Sequence, residues 1–416
     1  MHTNDTKLQT AVLVGIDTDA YDAEISLREL GELAKTAGAQ IAGSFLQNLP
    51  SANNATFVGG GKLLEIKEFC EQTQADLLIF DDELTGTQIR NIESVTGVRV
   101  IDRTMLILDI FAQRAVSREG KLQVELAQQK YLLPRLVGAG SVLSRQGGGI
   151  GTRGPGETKL ESDRRHIRRR IDALSRELKE LEKRREQVRS RRSKNSVTTI
   201  AIVGYTNAGK STLLNLLTNA GVLAKNQLFA TLDPTARELK LPDGQNAVII
   251  DTVGFIQRLP HQLVEAFRST LEETVYADLI LNICDISDPQ VEQQIQVTEE
   301  LLAELGCKDT PVLTVFNKTD LYHFQNMLTI TPKSVFISAK ENKGIDILLQ
   351  AICDCLSDLI CRVELLVPYQ DTGILDKIRR QGKILREEYT PEGIEVTANI
   401  DRKLSKLVSP YLAERN

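Results

Sequence analysis

The chain has 416 residues, 51 Lys+Arg against 56 Asp+Glu, a net charge of −5 and 41% hydrophobic residues. That length predicts roughly two to four domains, and the apolar fraction is sufficient to bury a core in each. The charge balance excludes a uniformly basic nucleic-acid binder but allows a local basic patch. Six cysteines and four histidines favour neither a disulfide scaffold nor a His/Cys metal site.

No run approaches the roughly 18–20 apolar residues of a membrane helix, so no membrane span is expected. The first residues do not follow the pattern of a secretory signal. We therefore expect a cytoplasmic protein, either free or in peripheral contact with a membrane, and we expect a monomer.

The first predicted domain, residues 1–103, alternates strand and helix patterns. Short apolar runs predict strands at 11–16, 40–46, 76–80 and 98–101, and helical periodicity predicts helices at 24–37, 62–74 and 87–95. Strands that alternate with helices of this length are typical of a small parallel sheet with crossover helices.

The second predicted domain, residues 104–194, contains two long helical segments, 104–136 and 157–192. A break in the first segment is expected near residues 119–120. In the second segment, apolar side chains recur at alternating steps of four and three, which predicts a coiled-coil seam. The short connection favours an antiparallel hairpin. The seam residues are Ile167, Ile171, Leu174, Leu178, Leu181 and Val188.

The connection between these helices is rich in glycine, with six glycines among residues 147–156. Residues 157–192 carry 14 Lys+Arg and 8 Asp+Glu, a net +6 in an acidic chain. This segregation predicts RNA contact, and the alternative is a solvated helical face with ion pairs. The candidate RNA-contact residues are Arg145, Gly149, Arg153, Arg164 and Arg165.

The third predicted domain, residues 195–361, opens with an apolar strand, a G-x-x-x-x-G-K-S motif and a helical run. This context is typical of a P-loop, in which backbone N–H groups face phosphate oxygens, a lysine reaches the β- and γ-phosphates and a hydroxyl ligates Mg²⁺. The predicted nucleotide-binding residues of the loop are Gly204, Tyr205, Thr206, Asn207, Ala208, Gly209, Lys210, Ser211 and Thr212.

Three later motifs, each after an apolar strand, complete the predicted site and indicate which base it binds. An acid at the end of a strand can hold Mg²⁺, and a following glycine N–H can meet the γ-phosphate. An aspartate in an N-K-x-D motif can accept hydrogen bonds from guanine N1–H and N2–H₂, which adenine lacks. These predicted GTP-binding residues are Asp251, Thr252, Val253, Gly254, Asn317, Lys318, Thr319, Asp320, Ser338, Ala339 and Lys340.

This ordered set of motifs resembles the translation-factor-related GTPases. Their second motif looks like Phe229, Ala230, Thr231, Leu232 and Asp233. The resemblance implies Mg²⁺ held by Ser211, Thr231 and, through water, Asp251, with Lys210, Thr231 and Gly254 as catalytic residues. Asn207 resembles a K⁺ ligand of related GTPases, and hydrogen bonding within the loop is the alternative. Phe255 stands where many GTPases orient water with Gln, so we expect slow intrinsic hydrolysis; packing in the core is a compatible reading.

Upstream pieces narrow the resemblance: DRT at 102–104, QVELA at 123–127, PRL at 134–136 and GGGIGTRGPGE at 147–157 are similar to the HflX family over about residues 1–360. That family implies GTP hydrolysis, GDP and GTP as ligands, and binding to the ribosomal RNA of the large subunit. It also implies dissociation or recycling of stalled or idle ribosomes, particularly under stress.

Two alternatives remain open: a GTP-dependent switch acting through a coiled-coil protein partner, and an ATP-dependent RNA-remodelling enzyme. The predicted fold class is α/β and multidomain. A small parallel N-terminal sheet with a helical hairpin is followed by a mostly parallel GTPase sheet with one antiparallel strand and helices on both faces. Residues 362–416 form a last, small α+β domain, with strands at 363–369, 384–389 and 394–400 and helices at 373–381 and 404–412.

Overall fold

The computed structural model describes residues 8–18, 21–136, 155–194, 198–218, 229, 235–244, 246–252, 254–258, 272–322, 334–357, 360–401 and 405–412. It divides into two compact units. The first contains the N-terminal 180 residues together with Phe229 and residues 256–258, and the second contains the remainder. In the described part of the chain, no helix combines the length and apolar character needed to cross a bilayer.

The first unit is built on a parallel sheet with strand order β2-β1-β3-β4. Helices connect successive strands, and polar N-caps fix where two of them begin: Asp22 accepts from Ile25 N, and Thr85 forms a reciprocal capping box with Gln88. The predicted alternation is confirmed. The elements are β1 (Gln9–Asp17), α1 (Ala23–Thr36), β2 (Ala39–Asn48), α2 (Gly60–Thr73), β3 (Leu77–Phe80), α3 (Gly86–Thr96) and β4 (Arg99–Asp102).

The helical segment expected at 104–136 is two helices, α4 (Arg103–Arg114) and α5 (Arg118–Arg135). The break lies at residues 115–117, before the expected position. The Ser117 hydroxyl accepts from Gly120 N at 2.9 Å and caps α5, so that Gly120 belongs to its first turn. Asp102, the N-cap of α4, lies 3.2 Å from Arg135 at the end of α5, which makes α4 and α5 antiparallel.

A long basic helix follows, α6 (Pro155–Lys194). Arg170 forms a two-point ion pair with Glu125 of α5 at 2.6 and 2.7 Å. Seven residues later, Glu177 pairs with Arg118 at 3.1 Å. Positions that increase along α6 thus meet positions that decrease along α5, so the predicted antiparallel hairpin is confirmed. Leu174 of the seam is fully buried.

The second unit carries a six-stranded sheet in the order β10-β9-β8-β5-β7-β6. Only the β6–β7 pair is antiparallel, as predicted, and Gly244 turns this hairpin at φ +84°. The other pairs are parallel. The strands are β5 (Thr198–Gly204), β6 (Thr235–Lys240), β7 (Asn246–Asp251), β8 (Leu279–Asp285), β9 (Val312–Asn317) and β10 (Ser334–Phe336). The described helices around it are α7 (Lys210–Thr218), α8 (Val291–Glu304) and α9 (Ile345–Ser357).

The C-terminal elements form a small antiparallel sheet in the order β11-β13-β12. The strands are β11 (Ile360–Val367), β12 (Gly382–Thr390) and β13 (Gly393–Asp401), and the helices are α10 (Gly373–Gln381) and α11 (Ser405–Val408). The last helix is shorter than the predicted 404–412, because the chain enters a 3₁₀ turn that contains Pro410. The predicted α/β class with three sheets is confirmed.

Candidate nucleotide-binding site

The loop between β5 and α7 has a backbone that only glycine can adopt at two positions. Gly204 has φ +136°, and a Cβ there would lie 2.2 Å from the carbonyl oxygen of Ile283. Gly209 has φ +95°, and a Cβ there would lie 2.3 Å from Asn317 Nδ2. Both glycines of the motif are therefore required by space as well as by conformation. Asn207 is exposed and also left-handed, at φ +64°.

Lys210 begins α7 and is buried beneath this loop. Its Nζ donates to the carbonyl oxygens of Gly204 at 3.0 Å and Tyr205 at 2.8 Å. Burial lowers the pKa of Lys210 to about 8, although the nearby Asp251 carboxylate acts in the opposite direction. The ammonium is thus fixed at the centre of the loop, where a phosphate oxygen could replace a carbonyl as its acceptor.

Two oxygen groups meet at the carboxyl end of β7. Ser211 Oγ donates to Asp251 Oδ2 at 3.1 Å, and Asp251 is completely buried. A hydroxyl and a carboxylate are the hard ligands that Mg²⁺ prefers. This pair therefore fits the predicted metal site.

The residues after Asp251 are bound to the phosphate loop through the main chain. Phe255 N donates to Gly204 O at 3.0 Å, and Thr206 N donates to Phe255 O at 2.7 Å. A Cβ on Gly254 would lie 2.8 Å from Thr206 Cγ2 and 2.9 Å from Lys210 Nζ, so glycine is needed for this approach. The Phe255 ring is buried, as the packing interpretation expected. Thr252 Oγ1 donates to Ile202 O at 2.6 Å.

The predicted base-binding end is organised by Asn317, the last residue of β9. Its Nδ2 donates to Ala208 O at 2.9 Å, and its Oδ1 accepts from Ala339 N at 3.0 Å. One amide thus joins the phosphate loop to the Ser-Ala-Lys loop. Ser338 Oγ donates to Asp320 Oδ1 at 2.6 Å, and this hydrogen bond is the main reason that the pKa of Asp320 is lowered. The carboxylate is therefore an anionic acceptor at neutral pH.

Asp285, at the end of β8, is absent from the residues that the sequence motifs predict. Lys318 has φ +63°, and its Nζ lies 2.5 Å from Asp285 Oδ2. The pair holds the lysine of the N-K-x-D motif beside the strand ends. The available signal was an apolar strand that ends in an acid, the same pattern that identified Asp251.

Several predicted residues lie away from this site or outside the described residues. Phe229 belongs to the first unit, where its ring packs edge-on against Phe111 with centroids 4.6 Å apart. Arg165 is exposed on α6, and Arg164 is half-buried there. Thr212 and Thr319 lie beside Ser211 and Asp320, and Lys340 is exposed. The residues outside the described ones are Arg145, Gly149, Arg153, Ala230, Thr231, Leu232, Asp233 and Val253.

Three family models match successive parts of the chain. Residues 24–112 match a GTP-binding GTPase N-terminal region, residues 114–192 match a GTP-binding GTPase middle region, and residues 199–318 match a 50S ribosome-binding GTPase. Together the matches cover most of the chain.

Two similar proteins agree with these models. The GTPase HflX of Caldanaerobacter subterraneus subsp. tengcongensis is 52% identical over 97% of this chain and 94% of its own. The GTPase HflX of Lacrimispora saccharolytica is 50% identical over 95% of this chain and 94% of its own. A solved structure of a GTP-binding protein from the archaeon Sulfolobus solfataricus with GDP is 25% identical, covering 85% of this chain and 100% of that one, with a TM-score of 0.45.

Proposed function

The chain belongs to the HflX family and is a GTPase, and from that premise we propose that it acts on the large ribosomal subunit to dissociate or recycle stalled or idle ribosomes, particularly under stress. The match of residues 199–318 to a 50S ribosome-binding GTPase carries this proposal. The basic helix α6 supports it, because Arg165 and its neighbours offer cations to RNA phosphates.

The phosphate end of the site explains how hydrolysis would be assisted. Lys210 would exchange its acceptors on Gly204 and Tyr205 for phosphate oxygens, and the backbone N–H groups of the loop would surround the same anion. Gly254 would offer its N–H to the γ-phosphate. Ser211, Thr231 and, through water, Asp251 would hold Mg²⁺, which would supply positive charge to the phosphates as negative charge develops on them.

The base end explains the choice of guanine. The Asp320 carboxylate is anionic at neutral pH, is oriented by the hydrogen bond from Ser338 and would accept from guanine N1–H and N2–H₂. Adenine would leave that carboxylate without these donors, and a site built to hydrogen-bond one base discriminates strongly against a base that lacks the donors. We expect GTP and GDP to bind far more tightly than ATP and ADP.

Phe255 is buried and has no group that could orient water. The water-positioning group would therefore come from a switch segment, from the ribosome or from K⁺ near Asn207. Comparing GTP turnover in K⁺ and in Na⁺ tests the last source, and equal rates would exclude it.

The proposed function is tested by sedimentation of the full chain with purified large subunits. We expect the chain to pellet with a non-hydrolysable GTP analogue and to stay in the supernatant with GDP. With assembled ribosomes, we expect light scattering to fall in the presence of the analogue. A chain that stays in the supernatant in every nucleotide state would favour a switch acting on a protein partner.

A charge-matched pair of variants sharpens this experiment. Changing Arg164 and Arg165 to Glu on α6 should weaken sedimentation and reduce its salt dependence. Changing Arg379 and Arg386 to Glu makes the same change in charge on the C-terminal elements α10 and β12. Both side chains are more than half exposed there. Equal losses in both variants would argue against a specific role for α6.

A further inference from the structure

A cavity of about 480 Å³ lies in the first unit at the carboxyl ends of β1, β3 and β4. In the parallel strand order β2-β1-β3-β4, the chain adds β2 on one side of β1 and β3 and β4 on the other, so the point between β1 and β3 is a topological switch point. Ligands of open α/β sheets bind at such a reversal, outside the carboxyl ends of the strands. Here the wall of the cavity is acidic on one side, with Asp81, Asp82 and Glu83 in a row after β3.

Arg258 occupies this acidic crevice. Its Nη1 lies 3.1 Å from Asp81 Oδ2 and 3.2 Å from Ser26 Oγ, and its Nη2 pairs with Asp82. The guanidinium also lies over the Tyr21 ring, 4.0 Å from its centroid. These contacts hold Arg258 in a left-handed conformation, at φ +53°.

The residue before Arg258 is held as well. Arg103 Nη2 donates to the carbonyl oxygen of Gln257 at 3.0 Å, while its Nη1 lies 2.8 Å from Asp81 Oδ1. Residues 257–258 come three and four positions after Gly254. A segment that the γ-phosphate would displace is therefore anchored by side chains of the N-terminal sheet.

The same acidic loop is bound at its other end by Arg135, the last residue of α5. Arg135 Nε donates to Leu84 O at 3.1 Å, and its Nη2 lies 3.6 Å from Glu83 Oε2. Asp102 completes the junction, since it accepts from Leu84 N at 2.9 Å and from Arg135 Nη2 at 3.2 Å. The four residues 81–84 thus connect two arginines that are far apart in sequence.

We infer that residues 81–84 relay the nucleotide state of the site to the end of α5. Phe255 is hydrogen-bonded to the phosphate loop, so a change there reaches Arg258 through three peptide bonds. Asp81 comes directly after β3, whose four residues are buried. If Asp81 moves together with Arg258, the loop of residues 81–84 must therefore move as well. Arg135 then receives the shift, and the chain leads from it to the glycine- and arginine-rich segment. The hydrogen bonds and ion pairs at residues 81–84 form a contiguous network of the kind that can carry coupling between distant sites.

Hydrogen exchange of the full chain, with GDP and with a non-hydrolysable GTP analogue, tests this relay. In the wild type, we expect the last turns of α5 to exchange differently in the two states, as should residues 204–211. Arg258→Gln and Asp82→Asn should each abolish the difference in α5 and keep it at 204–211. Glu83→Gln, at the other end of the loop, should do the same. Arg386→Gln removes an exposed ion pair with Glu388 and should change neither difference.

Three outcomes would overturn the inference: a wild type with no difference in α5, variants that retain it, or variants that lose the difference at 204–211 as well. Asp82 is a quarter exposed, so its variant decides the matter if Arg258→Gln fails to fold. No ribosomes are present in this experiment. Its failure would therefore leave the proposed ribosomal function untouched, and the reverse also holds.

Discussion

The substitution Asp320→Asn tests the guanine pocket directly. Ser338 Oγ, 2.6 Å from Asp320 Oδ1, orients the carboxylate and lowers its pKa. In the variant, one charge-assisted hydrogen bond to guanine is lost, and the new amide N–H₂ faces the guanine 2-amino group. A charge-assisted bond contributes about 1.5–3 kcal/mol, and a donor without an acceptor costs a similar amount. Asp320 is only partly buried, so the lower end of each range applies, and the expected loss is roughly 3 kcal/mol, or about a hundredfold in affinity for GTP.

The measurement is isothermal titration calorimetry with GTP, ATP and xanthosine triphosphate. Xanthine carries an oxygen in place of the 2-amino group, which the amide of the variant can meet as a donor, so affinity for its triphosphate should rise. Asp309→Asn, an exposed acid on the same unit, is the matched control and should bind GTP like the wild type. A GTP affinity unchanged by Asp320→Asn in a folded protein would refute the assignment of the base pocket.

Three further outcomes are expected. Because burial lowers the pKa of Lys210 from its ordinary 10.5 to about 8, the unfolded chain binds more protons between those values, and the stability of the nucleotide-free protein should rise with pH across that range. Urea unfolding of the wild type and Lys210→Met at pH 7–10 would show this rise in the wild type alone. If the free energy of unfolding changed with pH in the same way in both proteins, the prediction would be contradicted. Phe111→Ala should destabilise the first unit by roughly 3–5 kcal/mol in urea, because the ring is buried against Phe229; a loss under about 1 kcal/mol would argue against that packing. Arg170→Ala should barely move the unfolding midpoint, because its pair with Glu125 is exposed, and a large shift would indicate a stronger role for the hairpin.

The parts of the site that sequence could predict are those with a local pattern. A buried strand, a glycine-bounded loop and a helix start follow one another from Thr198 to Lys210 within thirteen residues. Asp251 and Asn317 each end a strand whose apolar run is evident. Neighbouring parallel strands bring such ends to one edge of the sheet, and Asn317 hydrogen-bonds to both neighbouring loops there. The roles of individual residues and the domain boundaries at 103, 194 and 361 stay predictions.

The contacts that sequence could not predict join residues without a shared pattern. Arg258 and Asp81 are 177 positions apart, and an arginine beyond a glycine gives no indication of its partner. The break in the first helical segment was misplaced for a local reason. The glycine at position 120 suggests an interruption, whereas Ser117 supplies the cap three residues earlier and the helix continues through Gly120.

Asn317 has a consequence for how ligands are recognised. Its single amide supports the loop proposed to face phosphate and the loop proposed to face the base, and it leaves no room for a side chain at position 209. The two halves of the pocket therefore depend on the same side chain, and we expect ligand binding in one half to affect binding in the other. The summed binding free energies of guanosine and tripolyphosphate, measured separately, should be less favourable than the binding free energy of intact GTP. Binding of either fragment should raise the affinity for the other.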